Sequence, residues 1–85
     1  VDALKAQYSA AIAVEGVYRA LPWCLPQAVA NCQTHAEREK IKTLEYDASA
    51  DLMVAESSLE QGAIEQARKS VKAFKDETDT LGLQP

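Results

Sequence analysis

"LPWCLPQAVANC", residues 21–32, decides how this chain folds. It is the one stretch that does not read as helix. It holds both cysteines, two of the three prolines and the only tryptophan of an 85-residue chain. Pro22 pushes Leu21 out of helical geometry, so a helix arriving from the N-terminus stops there. The cysteines stand eight residues apart. That spacing is wrong for a Cys-x-x-Cys redox pair, and two thiols with one histidine, His35, fall short of the four ligands of a structural metal site. A Cys24–Cys32 disulfide is therefore expected. Closing a nine-residue loop stabilises a fold by roughly 2.5 kcal/mol on the chain-entropy model. Residues 26–31 have room for one short helical turn, with Pro26 at its first position. A persistent disulfide places the chain in an oxidising compartment: periplasm, extracellular space or virion surface.

On either side the pattern is helical. In residues 2–21 Leu4, Ala11 and Tyr18 repeat every seven residues, as do Gln7, Val14 and Leu21; Ala3, Ala10 and Val17 widen the apolar arc, and Tyr8 and Ile12 extend its other edge. An arc this wide predicts burial on more than one side. Gly16 interrupts the helix at about 1 kcal/mol relative to Ala, either as simple tolerance or to admit a neighbouring backbone. A second helix, 34–61, opens on a capping box: Thr34 accepts from the Glu37 amide and the Glu37 carboxylate reaches back to the Thr34 amide. Ile41, Leu44, Ala48, Leu52, Ala55 and Leu59 form its core stripe, and Gly62 is the expected left-handed terminator. A third helix, 63–81, buries Ile64, Ala67, Val71, Phe74, Thr78 and Leu81, a heptad seam suited to antiparallel packing. It closes at Leu81-Gly82-Leu83, and the acidic residues Asp76, Glu77 and Asp79 at its negative end predict a frayed last turn. The fold class follows: one all-α domain, an antiparallel up-down-up three-helix bundle with the disulfide in the first connection. The alternative is a two-helix hairpin with the first helix docked on a neighbouring copy.

Composition excludes several functions. A net charge of −4 offers no basic face to nucleic acid. No apolar run approaches the roughly 20 residues that span a bilayer. The start at Val1, without a signal-like segment, reads as a processed or trimmed chain from which a leader or a lipid-bearing cysteine has been lost, and such an anchor is the one membrane contact expected. There is no phosphate loop, no nucleophile with a base, no metal cluster and no cofactor or small-molecule motif, so the chain is expected not to be an enzyme. A small apolar-ligand carrier is a third functional class, requiring a cavity between the helices. His35, in the first turn of the second helix, is expected to be neutral and exposed. The acidic second helix and the basic flank Arg68, Lys72 and Lys75 of the third predict charge pairing between neighbours, worth only tenths of a kcal/mol per exposed pair.

Two patches are candidates for binding a protein partner or a second copy. Trp23, with Leu25 and Val29, lies beside the disulfide; Trp23 either caps the bundle end or anchors a partner. Opposite the core stripe of the second helix lie Tyr46, Ser49, Ala50, Met53 and Ser57, a strip without charge where a solvated face would carry Lys and Glu. It is expected to meet another helix of the bundle, another copy, or a different partner.

The pattern D-A-L-x-x-x-Y-x-A-A-I-x-x-x-x-x-Y-x-x-L-P-x-C, followed by a second cysteine and a long helix, runs from Asp2 to about Leu59. It resembles small exported, lipoprotein-like helical proteins encoded by bacteriophages and prophages of Gram-negative bacteria. That resemblance implies a virion component or an envelope accessory protein, and carries no functional residue with it.

Overall fold

A computed structural model of the chain describes residues 1–24 and 32–81. It contains three helices: α1 (Asp2–Arg19), α2 (His35–Ser58) and α3 (Gln61–Thr80). They run up, down and up. Lys5 at the start of α1 meets Glu56 at the end of α2, and Lys40 at the start of α2 meets Glu77 at the end of α3. The α2–α3 contact is the most extensive, and α1 lies mainly on α3. α1 thus docks on its own chain, not on a neighbouring copy. The molecule is a rod of 50 × 21 × 15 Å with a radius of gyration of 14.2 Å, against about 12 Å for an equant domain of this length. Its interior is accordingly thin.

That interior is one line of residues per helix: Leu4, Ala11 and Tyr18 from α1; Ile41, Ala48, Leu52 and Ala55 from α2; Ala67, Val71 and Phe74 from α3. Thr78 continues the α3 seam, buried, its hydroxyl donating to the Lys75 carbonyl. Four alanines in this set let the helix axes approach closely, so the larger side chains fill the space between them. Phe74 is fully buried, with the Tyr8 ring tilted against it at 5.8 Å. The seven-residue line of α1 is buried as expected. The wide arc is not: Ala3, Gln7 and Ala10 are exposed, and α1 buries a single stripe. The physical reason is that α1 has neighbours on one side only. A Cβ built at Gly16 would meet nothing within 4 Å, so no backbone approaches there.

Helix ends differ from the sequence pattern in instructive ways. α1 stops at Arg19, two residues early, with Ala20 as its cap. α2 stops at Ser58. Its left-handed terminator is Leu59 (φ 56°), whose amide donates to the Ala55 carbonyl, while Gly62 already lies inside α3. The link between the helices is therefore the two residues Leu59–Glu60, where the expected bounds left Gly62 alone. The last turn of α3 continues to Thr80, with Asp76 and Asp79 paired to Lys72 and Lys75 and Glu77 to Lys40. The basic flank of α3 thus finds its partners mostly within α3, since Arg68 also pairs with Glu65; the expected pairing across to α2's acids is replaced by i,i+3 and i,i+4 pairs, which need no interhelical reach. Asp51 of α2 takes hydrogen bonds from Ser70 and Gln66. The expected Gly82 closure and the turn over 26–31 lie outside the described residues.

Candidate partner-binding trough

The disulfide forms as expected: Cys24 and Cys32 are bonded, with Cα atoms 4.9 Å apart. It ties together two short extended segments that pair in parallel. The Cys24 amide donates to the Gln33 carbonyl (2.8 Å), and the Gln33 amide to the Pro22 carbonyl (3.0 Å). This pairing inserts Gln33, fully buried, beneath the C-terminal end of α1. Its Nε2 donates to the Tyr18 carbonyl and, at 3.4 Å, to that of Leu21. Arg38 Nη2 donates to the same Leu21 carbonyl at 2.8 Å. A helix leaves its last carbonyls without intrahelical partners; here the Tyr18 carbonyl takes the Leu21 amide and Gln33, and Arg38 holds the chain just beyond the helix end. The staple therefore caps α1 as well as closing a loop.

The start of α2 is built in the same economical way. Thr34 Oγ1 accepts from the Glu37 amide at 3.1 Å. The other half of the capping box is absent: Glu37 turns to accept from the buried Tyr18 hydroxyl at 2.7 Å. Burial raises the Tyr18 pKa above the ordinary tyrosine value, and the Glu37 hydrogen bond and charge raise it further. One turn up α1, the buried Glu15 binds Arg19 through Nε (2.9 Å) and Nη2 (2.5 Å), and Arg19 also reaches Glu45 of α2 at 2.9 Å. Burial, followed by the nearby Glu15 charge, raises the Glu45 pKa, while Arg19 opposes the shift.

These groups wall a hollow of about 310 Å³ at the disulfide end, between α1 and the first two turns of α2. Trp23 forms one rim. It is 47 % exposed, with the Arg38 guanidinium 3.6 Å above its ring and the His35 ring alongside at 5.8 Å and 21°. Trp23 is thus partly covered. One part of its surface is engaged and much of the rest faces solvent. His35 is exposed, as expected, 4.0 Å from Glu39. Of the residues lining the hollow, Gln33 and Arg38 each carry a buried atom, Oε1 and Nε, without a hydrogen-bond partner among the described residues. A second hollow, also about 310 Å³, lies further along α2 between Tyr8, Tyr46 and Ser49. Arg19 and Lys42 line both, so the two form one trough along the α1–α2 seam, where these helices touch least.

Of the sequence-predicted binding residues, Trp23 opens this trough and Tyr46 closes it. His35, Lys42, Tyr46, Ser49 and Met53 fall within about 60° of one another around α2 at 100° per residue, so the charge-poor strip and the tryptophan end share one face. Tyr46 and Met53 are 74 % and 69 % exposed. These two side chains are therefore largely uncovered by α1 and α3, while Ser49 is half-buried at the α1–α2 seam. Ala50, half-buried, sits at its edge. Leu25 and Val29 lie outside the described residues. Sequence reasoning missed Gln33, Arg38 and Glu15. Gln33 belongs to no periodic pattern, and Glu15 reads as surface charge; only Arg38, one helical turn before Lys42 on the same face, left a trace.

Among the described residues no group of three or more His, Cys, Asp or Glu side chains is placed to hold a metal ion, and no helix is long and apolar enough to cross a membrane. The disulfide is consistent with an oxidising, extracytoplasmic setting. The chain matches no protein-family model, no curated protein and no solved structure.

Proposed function

We propose that this chain is a non-enzymatic helical interaction protein of an oxidising compartment, with a structural or assembly role in which repeated copies bury the outward face of α2. The observation that carries this reading is the exposure of Tyr46 and Met53 on a strip without charge between them. Large apolar side chains on an otherwise uncharged helix face are the usual composition of an interface centre. The resemblance of residues 2–59 to small exported phage-encoded helical proteins supports a virion or envelope location, where repeated copies are the rule. Light scattering at high micromolar concentration tests it. Self-association is expected, and a Tyr46→Glu, Met53→Glu double variant returns the protein to monomer. A wild-type chain that stays monomeric there overturns the assembly role.

The hollow at the disulfide end favours a second reading, a monomeric periplasmic or secreted binding module that engages a partner through Trp23. Trp23→Ala then weakens partner capture while leaving the helical signal unchanged; unchanged capture removes this reading.

A further inference from the structure

We infer that the hollow beside Trp23 binds the C-terminal end of a peptide: its carboxylate on Arg38, its last amide N–H on Gln33 Oε1, and its last side chain against Trp23. This deepens the Trp23-end reading and rests on it.

Three observations converge. First, Arg38 is half-buried and has no carboxylate partner among the described residues; its contacts there are the Leu21 carbonyl and the Trp23 ring. In an acidic chain most lysines and arginines find a carboxylate, and Arg19 has two. A partly desolvated guanidinium favours an anion, and carboxylate matches its planar fork. Arg38 also lies in the first turn of α2, where the helix dipole adds positive potential. Second, Gln33 lines the hollow and is fully buried, and its Oε1 has no donor among the described residues. A buried acceptor without a donor is costly, so a ligand N–H that reaches it gains more than it would in water. Third, Trp23 offers an apolar surface beside these two groups. An anion, an N–H donor and an apolar group, in that order, describe a chain terminus. The volume, about 310 Å³, is at the small end of ligand sites and suits one or two residues. Lys42, loosely held at 3.9 Å from Glu39, stands at the mouth.

Gln33 Oε1 and Arg38 Nε are buried as the chain stands, so binding here requires the Arg38 side chain to shift against the Trp23 ring when the ligand enters. Trp23 is the only tryptophan, and its fluorescence reports that movement directly. The experiment titrates the oxidised full chain with N-acetyl-alanyl-leucine, with its C-terminal carboxamide, and with the analogue N-methylated at the leucine amide. The free acid is expected to give a saturable change. The carboxamide, which loses a charge-assisted hydrogen bond, and the N-methyl analogue, which leaves the buried Gln33 Oε1 without a donor, are each expected to bind about tenfold more weakly or worse. Arg38→Gln, checked for helical signal, is expected to lose binding to the same degree. Because two of these comparisons change only the ligand, they do not depend on a variant's folding. Equal binding of acid and carboxamide overturns the inference. So does acetate or inorganic phosphate binding as tightly as the peptide, which makes the hollow a plain anion site. No saturable change up to about 10 mM overturns it as well. Light scattering on the same sample separates this failure from that of the assembly role, and partner capture by Trp23→Ala separates it from failure of the Trp23-end reading.

Discussion

The two ends of this rod are held by different physics. At one end α2 turns into α3 through Leu59 and Glu60, and the hairpin is secured by close apolar packing: Ala48, Leu52 and Ala55 with Ala67 and Val71, in a seam that runs on to Phe74 nearer the disulfide end, along the most extensive helix contact. At the other end α1 passes into α2 through the disulfide, and what joins them is largely polar. Gln33 and Arg38 cap α1, Tyr18 donates to Glu37, and Arg19 bridges to Glu45. Apolar packing is insensitive to a small misfit in direction, whereas buried hydrogen bonds demand position. The covalent link fixes that position, so the polar end can keep a trough open without losing the fold.

The sharpest way to break the contrast is to attack the apolar α2–α3 seam and the polar end, each by its own mechanism. Phe74→Ala removes the largest fully buried side chain. A cost of about 3–5 kcal/mol is expected, comparable to the whole stability of a domain this small, and urea denaturation should find the variant largely unfolded. Cys24→Ser with Cys32→Ser should cost less, about 2.5 kcal/mol. The loss should be local in character: hydrogen exchange is expected to rise in α1 and the first turns of α2 while the α2–α3 core keeps its protection. Equal loss of protection along all three helices would mean that the two ends are not separable.

Tyr18→Phe tests the polar end alone. It deletes the hydroxyl that donates to Glu37 and leaves the buried ring. A loss of about 1 kcal/mol is expected. Its signature is in the pH dependence. The Tyr18 pKa is raised in the folded state above the ordinary value of 10.0. Above pH 10 the unfolded chain therefore gives up this proton before the folded one does. The stability contributed by neutral Tyr18 is complete below pH 10 and is lost progressively as pH rises beyond it. In Tyr18→Phe that part of the alkaline decline should vanish, which denaturation midpoints between pH 8 and 11 would measure.

The same division explains what the sequence made legible. Apolar repeats of three, four and seven residues depend on local geometry, so the burial of Leu4, Ala11 and Tyr18, and of Ala67, Val71, Phe74 and Thr78, could be read directly. The disulfide followed from counting and spacing. The apolar strip of Tyr46 and Met53 was visible as a face without charge, although not that it would stay exposed. The polar end was illegible for a physical reason. Gln33 is fixed by two backbone hydrogen bonds across the disulfide, and Glu37 chose a hydroxyl 19 residues away over its own helix's first amide. Such choices depend on tertiary distance, which no local pattern encodes. Helix ends failed for a related reason, at Leu59 most clearly.

Leu59 therefore supplies the smallest and most specific test. Its φ of 56° places a leucine in the left-handed region, and its side chain is 67 % exposed. Leucine pays there a backbone penalty of about 1 kcal/mol that glycine does not, and with so little burial the side chain returns only part of it. Leu59→Gly is expected to raise stability by about 0.5 kcal/mol after the greater entropy of the glycine-containing unfolded chain is deducted, a shift of about 2–4 °C in Tm for a domain of this size. The gain should appear in the Cys24→Ser, Cys32→Ser background with the same magnitude, because the two sites share no partner and lie at opposite ends of the rod. A loss of stability would instead mean that the exposed Leu59 side chain contributes to holding α2 against α3, and that apolar packing reaches further along the link than the buried stripe suggests.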